Sequence, residues 1–253
     1  MLQAALNGGR SDDEHPAIPR SPSELAAAAR GAVAAGAQVV HIHAYDSEGC
    51  ESLAAEACDA AVSAVRAACP DVPVSLTTSA GIEPDPARRL ALVTEWVELP
   101  DLVTANQGEA GIHELCEYLV GRSVGIEAGL LSVSDAEAFV AARVAHRCVR
   151  VLIEPLDADP DAAVAHAVQI EQVLTEAAIP LEQVHHGDGV ASWAVNRRAL
   201  ARGHGIRSGL EDTTVLEDGS LAADNAELVR AAAALLASAT ITQQRPERDA
   251  SMA

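Results

Sequence analysis

The feature that most constrains the fold is an alternation of short β-branched runs with longer Ala-rich stretches, repeated along nearly the whole chain. The short runs have the length and composition of buried strands, and apolar residues recur at helical spacing between them. Eight strands are predicted, at 2–6, 38–46, 72–77, 102–105, 123–127, 149–154, 183–186 and 206–209. Strands that alternate with helices form a parallel sheet, and eight of them favour a closed (β/α)8 barrel over an open sheet.

No linker rich in Pro, Gly or Ser divides the 253 residues, so we expect a single α/β domain. This domain is predicted to be a (β/α)8 TIM barrel over 1–241, followed by a polar tail over 242–253. Apolar residues make up 49% of the chain and aromatic residues only 2%, which predicts a core of Ala, Val, Leu and Ile. Local signals predict helix starts at Ser21 and Ser134 and a final helix over 225–237.

The charge of the chain, −20 with no lysine, argues against nucleic acid as a partner. Contacts with phosphates need clustered positive charge, which this composition does not offer. The first residues do not resemble a leader and no apolar run has the length of a membrane span, so we expect no membrane partner. The five cysteines are odd in number and form no CxxC motif, which is typical of reduced thiols. We therefore expect a cytoplasmic protein.

Two histidines stand two residues apart in the second predicted strand. Because successive side chains of a strand point to opposite faces, His41 and His43 share one face while Val40 and Ile42 share the other. Polar residues at the C-terminal ends of barrel strands converge on the active site. Two imidazoles at such a place suit a metal ion that needs a third ligand. The structural alternative is a pair of strand histidines bonded to backbone carbonyls.

The third ligand is sought after the eighth strand, which neighbours the first strand in a closed barrel. Glu211 offers a carboxylate of suitable reach, and the alternatives are Asp46, His186 and Asp212. Two neutral imidazoles, one carboxylate and an open position make a catalytic zinc site. Asp212 is also a candidate base, which Arg207 would orient unless Arg207 binds a substrate carboxylate. The structural alternative for these two residues is an ordinary salt bridge.

Other polar residues at predicted strand ends extend the candidate site. Glu127 follows an apolar run, where burial can raise the pKa of its carboxyl and suit it to catalysis, or it caps a helix. Polar groups that could contact a substrate follow the first, third and fourth strands, at Asn7, Thr77, Thr78, Thr104 and Asn106. His185 and His186 begin a glycine-containing loop, and neither is assigned a role.

The order of several motifs along the chain is more specific than any one of them. These motifs are Asn7-Gly8-Gly9-Arg10, His15-Pro16-Ala17-Ile18-Pro19, His41-Ile42-His43, the sequence GIRSGLED at 205–212 and the sequence NAELV at 225–229. Together they resemble the β-keto acid cleavage enzyme family over nearly the whole chain. The resemblance implies a barrel with one divalent metal ion, usually Zn²⁺, bound by His41, His43 and Glu211. It also implies that Arg207 and Asp212 are the catalytic pair.

The activity that the resemblance implies is transfer between a β-keto acid and acetyl-CoA, which yields acetoacetate and a new acyl-CoA. The expected chemistry is attack by an acetyl-CoA-derived enolate on a keto group polarised by zinc, with Asp212 moving the proton. Homotetramers are usual in the family. The alternative enzyme is a metal-dependent barrel hydrolase or aldolase without CoA. The alternative from another class is an inactive barrel that serves as a scaffold.

One position departs from the family pattern. The family commonly has an arginine after the second histidine, one residue before the Asp, and Tyr45 stands there in this chain. The chain is also shorter than many members, so the loops that cover the substrate are expected to be trimmed. Both differences bear on the choice of substrate more than on metal binding, and we predict that Tyr45 contacts the substrate.

Overall fold

The computed structural model describes residues 1–11 and 13–243, and within them eight strands alternate with eight α-helices. The strands are β1 (Leu2–Ala5), β2 (Val39–Ile42), β3 (Val74–Thr77), β4 (Leu102–Asn106), β5 (Gly125–Leu130), β6 (Cys148–Ile153), β7 (Glu182–His185) and β8 (Gly205–Ser208). The helices are α1 (Pro22–Ala35), α2 (Ala55–Ala68), α3 (Pro86–Thr94), α4 (Ile112–Gly121), α5 (Val133–Ala142), α6 (Pro160–Glu176), α7 (Ala191–Ala201) and α8 (Asn225–Gln243).

The eight strands form a closed parallel barrel in chain order, with β8 paired to β1. The predicted (β/α)8 TIM barrel is thus confirmed. Ala5 pairs with His41 of β2, and Gln3 pairs with Arg207 of β8. β2 carries His41 and ends one residue before His43. Only β1 therefore separates this strand from the strand that precedes Glu211.

Small aliphatic residues fill the layer between strands and helices, as the composition predicts. Val40 and Ile42 of β2 are fully buried there, together with Leu25 and Ala29 of α1. The interior of the barrel differs, because it contains buried polar side chains from five strands: Gln3, Ser75, Glu127, Arg150 and Arg207.

Several element boundaries differ from their prediction for local reasons. β5 does not end at Glu127 but continues to Leu130, because the backbone goes on pairing with β6. The N-cap of α5 is Ser132 instead of Ser134, and the Ser132 hydroxyl accepts a hydrogen bond from the Asp135 N–H. The predicted helix start at Ser21 is confirmed, and Ser21 forms a capping box with Glu24.

The last helix is longer than its prediction, and α8 runs to Gln243. The remainder of the predicted tail, 244–253, lies outside the described residues. All five cysteines are free thiols. In the described part of the chain, no helix combines the length and the apolar character needed to cross a membrane.

Candidate metal and active site

The three predicted metal ligands meet at the mouth of the barrel. The His41 Nε2 lies 3.6 Å from Glu211 Oε2, and the His43 Nε2 lies 3.5 Å from Glu211 Oε1. Ligand atoms from all three residues lie within 4.8 Å of one another. The planes of the two imidazole rings make an angle of 81°, so their Nε2 atoms approach the carboxylate from different directions.

The Nδ1 atom of each ring points away from the mouth and contacts an oxygen atom. The His43 Nδ1 lies 2.5 Å from Glu51 Oε1, and the His41 Nδ1 lies 3.1 Å from Ser75 Oγ and 3.3 Å from Thr104 Oγ1. Metal-binding histidines are typically held in this way, with the non-ligating nitrogen bonded to an oxygen. The Glu211 Oε2 is buried and has no hydrogen-bond partner. Two imidazoles and one carboxylate with these free atoms fit a divalent metal ion.

Two glycines allow the loop after β1 and the turn after β8 to approach each other closely. A Cβ at Gly209 would lie 1.9 Å from the carbonyl oxygen of Ala5, and a Cβ at Gly8 would lie 2.5 Å from Glu211 Cγ. Gly8 also has a φ of +56°, which residues with a Cβ rarely adopt. The Arg10 Nε then donates to the Glu211 carbonyl at 2.8 Å. These contacts explain why the NGGR and GLED motifs occur together.

A buried arginine joins the metal ligand to the predicted base. The Arg207 Nη2 donates to Asp212 Oδ1 at 2.6 Å and to Glu211 Oε1 at 3.1 Å. Burial alone would raise the pKa of Glu211, but Arg207 and the two imidazoles outweigh it and hold that pKa well below its usual range. The Asp212 Oδ2 is buried without a hydrogen-bond partner. One carboxylate oxygen of Asp212 is thus held by Arg207, and the other is unoccupied.

The two histidines differ in their affinity for protons. Burial lowers the pKa of His41 to about 3 despite the nearby Glu211 carboxylate. Burial also lowers the pKa of His43, but the carboxylates of Glu211 and Glu51 outweigh it and raise that pKa to about 9. At neutral pH the metal-free His41 is therefore neutral, and a metal ion must displace a proton from His43.

Glu127, predicted as a catalytic residue, is fully buried inside the barrel below the mouth. It accepts hydrogen bonds from the Ser75 hydroxyl at 2.5 Å and from the Gln3 amide at 3.2 Å, and Arg150 lies 3.6 Å away. Burial raises the pKa of the Glu127 carboxyl in spite of these partners. Its contacts lead to His41 through Ser75 and not to the open side of the site.

Two of the predicted substrate-contacting residues are bonded to the backbone. The Asn7 amide donates to the carbonyls of Pro19 and His43 at 3.0 and 2.9 Å and accepts from the His43 N–H at 2.9 Å. The Thr78 hydroxyl is buried and donates to the Thr104 carbonyl at 2.8 Å. Asn7 thus positions the second histidine, and Thr78 joins two strand ends.

Other predicted substrate contacts keep free polar atoms. Thr77 Oγ1 accepts from the Ser79 N–H at 3.3 Å, which leaves its own hydroxyl proton to donate. Asn106 donates to Glu109 Oε1 at 3.1 Å, and its own Oδ1 is buried without a partner. These two residues therefore remain able to bind a substrate oxygen or N–H, whereas the Thr104 hydroxyl faces His41.

Tyr45 lies beside the site and borders an open groove. Its hydroxyl donates to the Gly8 carbonyl at 2.6 Å, and the Arg20 guanidinium lies 4.9 Å from its ring centre. The groove has a volume of about 650 Å³ and is lined in part by Arg20, Tyr45 and Asp46. Asp46 was an alternative metal ligand, but its Oδ1 accepts backbone N–H groups of its own turn, from Glu48 and Cys50, at 2.9 Å.

The structure places one candidate ligand elsewhere and adds residues that the sequence did not indicate. His186 is fully buried, with Nδ1 3.4 Å from Asp212 Oδ1 and Nε2 3.5 Å from Glu154 Oε2. The sequence predicts His186 as an alternative third ligand, yet its ring faces Asp212 instead of the two histidines. Glu154 and Ser75 could have been found from strand alternation, since each lies two residues from a position that faces the interior or mouth.

Residues 1–176 and 156–248 match the family model of the beta-keto acid cleavage enzymes. The chain belongs to this family. It is 26% identical over 243 residues to the 3-keto-5-aminohexanoate cleavage enzyme of Fusobacterium nucleatum, covering 90% of this chain and 88% of that protein. The enzyme of the same name from Acetoanaerobium sticklandii is 25% identical over 245 residues, with coverage of 90% and 88%.

A solved structure shares the fold of this beta-keto acid cleavage family member. ObcA in ternary complex with a C4-CoA adduct and oxalate superposes with a TM-score of 0.72 at 17% identity. The match covers 88% of this chain and 64% of ObcA, so the chain spans less than two thirds of that protein. At this identity the likeness concerns the barrel fold.

Proposed function

We propose that the protein is a metal-dependent enzyme that cleaves a β-keto acid with acetyl-CoA, yielding acetoacetate and an acyl-CoA. The observation that carries this proposal is the convergence of the His41 and His43 Nε2 atoms on Glu211, beside the Arg207–Asp212 pair. Membership of the beta-keto acid cleavage enzyme family supports the reaction class. The C4-CoA adduct bound to ObcA, a protein of the same fold, supports the use of CoA.

His41, His43 and Glu211 would hold the metal ion, for which zinc fits the donor set. When bound, such an ion would polarise the keto oxygen of the substrate and so acidify the adjacent C2–H. Asp212 is the base in this proposal, because its Oδ2 has no other partner while Arg207 fixes its Oδ1. A general base must first satisfy a geometric requirement, which is a free atom held in a fixed orientation. The Asp212 carboxylate, with one oxygen fixed and one free, satisfies this requirement.

The products determine which carbon attacks. Acetoacetate can retain C1 and C2 of the keto acid only if C2 is the nucleophile. The acetyl-CoA enolate expected from the family resemblance would instead bond through its own CH2 carbon to the keto carbon of the substrate. C1 and C2 of the keto acid would then be released as acetate. In the proposed order of steps, Asp212 takes a proton from C2 of the keto acid, and the C2 electron pair attacks the carbonyl carbon of acetyl-CoA. The CoA thiolate leaves and then adds to the former keto carbon. The C2–C3 bond breaks, and Asp212 returns the proton to C2 of acetoacetate.

Residues around the mouth would position the substrate. Thr77 has a hydroxyl proton free to donate to the carboxylate or carbonyl oxygens of the substrate. The free Oδ1 of Asn106 can accept a hydrogen bond from a substrate donor or from a bridging water. Tyr45 would limit the acyl substituent, because its ring is fixed by the bond to Gly8 next to Glu211. Asn7 would act indirectly by fixing the backbone of His43.

The test is an assay of purified protein with acetyl-CoA and a panel of β-keto acids that differ in the acyl substituent. Acetyl-CoA labelled with ¹³C at both acetyl carbons should place its label at C3 and C4 of acetoacetate and leave the acyl-CoA unlabelled. Label in the acyl-CoA would contradict the direction of attack. Breakdown of the keto acid at the same rate without acetyl-CoA would instead support a hydrolase or aldolase.

A further inference from the structure

A carboxylate that does not reach the mouth is connected to a candidate metal ligand through one hydroxyl. Glu127 of β5 and Ser75 of β3 are both fully buried inside the barrel. Ser75 Oγ lies 2.5 Å from Glu127 Oε2 and 3.1 Å from His41 Nδ1. The Gln3 amide donates to both oxygens of Glu127 at 3.2 Å, which holds the carboxylate in place.

The direction of these hydrogen bonds follows from the number of protons. A serine hydroxyl has one proton and two lone pairs. Both Glu127 oxygens accept from the Gln3 amide, and Arg150 lies 3.6 Å away, so we take Glu127 as an ionised carboxylate, which can only accept. The Ser75 proton therefore points to Glu127, and the Ser75 oxygen must accept from His41. His41 then carries its proton on Nδ1, which leaves the Nε2 lone pair directed at Glu211, 3.6 Å away.

We propose that Glu127 and Ser75 are positioning residues for the metal site, which fix His41 as the Nδ1–H tautomer before any metal ion binds. The inference rests on the proposed metal site and gives Glu127 a role other than the catalytic one first expected. The Nδ1 of His43 contacts the Glu51 carboxylate directly, without an intervening hydroxyl. The difference has a geometric reason: His41 lies deeper, and Ser75 spans the distance between its ring and the interior carboxylate.

The most direct test needs no substitution. Long-range ¹H–¹⁵N NMR spectra of the metal-free wild-type protein distinguish the two neutral tautomers by the shifts of the ring nitrogens. At pH 7 we expect His41 to show Nδ1 protonated and Nε2 unprotonated, with the assignment made from the loss of its signals in His41→Asn. A signal pattern with Nε2 protonated would overturn the inference.

The second test measures metal affinity by competition with a chromophoric chelator. Ser75→Ala is expected to raise the dissociation constant of Zn²⁺ about 10- to 100-fold, as for other losses of a partner to a metal-binding histidine. Ser75→Thr retains the hydroxyl and should restore binding to within about threefold. Thr104→Val removes the weaker contact, at 3.3 Å, and should have the smaller effect. The visible spectrum of the Co²⁺-substituted proteins reports the ligand geometry independently of turnover.

The outcomes of the two tests are distinct. Unchanged Zn²⁺ affinity in Ser75→Ala overturns the inference while leaving the proposed metal site intact. A wild-type protein that binds no divalent ion overturns the metal-dependent function, and the tautomer of His41 is still decided by NMR. If Ser75→Ala does not fold, the wild-type tautomer alone decides the matter. Glu127→Gln, which keeps the side-chain volume, should weaken Zn²⁺ binding in the same direction as Ser75→Ala.

Discussion

Within the described residues, two clusters combine two histidines with one glutamate, and they differ in what their free atoms can do. The mouth cluster consists of His41, His43 and Glu211, and the outer cluster consists of Glu171, His185 and His204. In the outer cluster, His185 of β7 points from the barrel toward the helices and stacks on His204, with ring centres 4.8 Å apart and planes 10° apart.

Most ligand atoms of the outer cluster already have partners, although the His185 Nδ1 is buried without one. Glu171 accepts hydrogen bonds from Arg198, Arg202 and His204, and the His185 Nε2 lies 3.1 Å from Gln183 Oε1. In the mouth cluster, among the described residues, a single arginine contacts the Glu211 carboxylate, and both histidine Nε2 atoms face that carboxylate. Residue types and distances are therefore insufficient to identify a metal site. The number of cations already paired with the carboxylate distinguishes the two clusters, since two arginines contact Glu171 and one contacts the Glu211 carboxylate.

The largest expected difference concerns metal binding itself. Glu211→Gln removes a charged ligand and should raise the Zn²⁺ dissociation constant more than about 100-fold, with loss of acetoacetate formation. Glu171→Gln, the matched change in the outer cluster, should leave the bound-metal content unchanged and lower the free energy of unfolding by about 3 kcal/mol. Metal analysis after dialysis and chemical denaturation measure both. Loss of metal in Glu171→Gln would contradict the comparison.

A smaller effect is expected from the residue next to Glu211. Asp212→Asn keeps the shape and the contact with Arg207 but removes the base, so kcat should fall about 10²- to 10⁴-fold. Metal content should remain that of the wild type, which separates this variant from Glu211→Gln. Asp188→Asn is a control at the same rim, since Asp188 contacts Arg10 and not the ligands. An Asp212→Asn enzyme with near-normal kcat would exclude Asp212 as the base.

The sequence was sufficient for those parts of the molecule that depend on local periodicity. The alternation of runs predicts the barrel, and the spacing of His41 and His43 predicts that they share a face. The rule that strand ends converge brings Glu211 to them. Each of these signals extends over a few residues or repeats along the chain, so that no knowledge of the tertiary register is needed.

The supporting contacts depend on the tertiary register, and the sequence could not reveal them. Ser75 and Glu127 are 52 residues apart, and Gln3 and Glu127 are 124 residues apart. The sequence predicts that Glu127 ends a strand, because charge usually marks the end of an apolar run, and that its buried carboxyl acts in catalysis. The interior of this barrel accommodates the charge instead. Asn7 was likewise interpreted from its position, whereas its amide is bonded to the backbone.

The outer cluster should make the protein sensitive to acid. Burial lowers the pKa of His185 to about 3, so the folded state keeps this ring neutral while the unfolded chain binds a proton below about pH 6.5. The contribution of the neutral His185 ring to the free energy of unfolding is therefore complete above pH 6.5 and is lost as the pH falls toward 3. Between pH 7 and pH 5, the wild type should lose about 2 kcal/mol of unfolding free energy more than His185→Gln.

Urea denaturation at the two pH values measures this difference. His41 is also buried and neutral, but it is present in both proteins and its contribution cancels. The stacked His204, Glu171 and Arg198 surround the ring of His185 in both proteins as well. Parallel pH dependence in the wild type and His185→Gln would show that His185 binds a proton in the folded state.

The smallest effect should come from the exposed arginine of the outer cluster. The Arg202 side chain is 59% exposed, whereas that of Arg198 is 17% exposed, and both contact the Glu171 carboxylate. Because solvent screens an exposed ion pair, Arg202→Gln should change the free energy of unfolding by less than about 1 kcal/mol. Arg198→Gln, the matched change at the buried arginine, should cost more, since it leaves Glu171 with fewer partners. Equal losses in the two variants, measured by urea denaturation, would mean that both arginines neutralise Glu171 to the same extent.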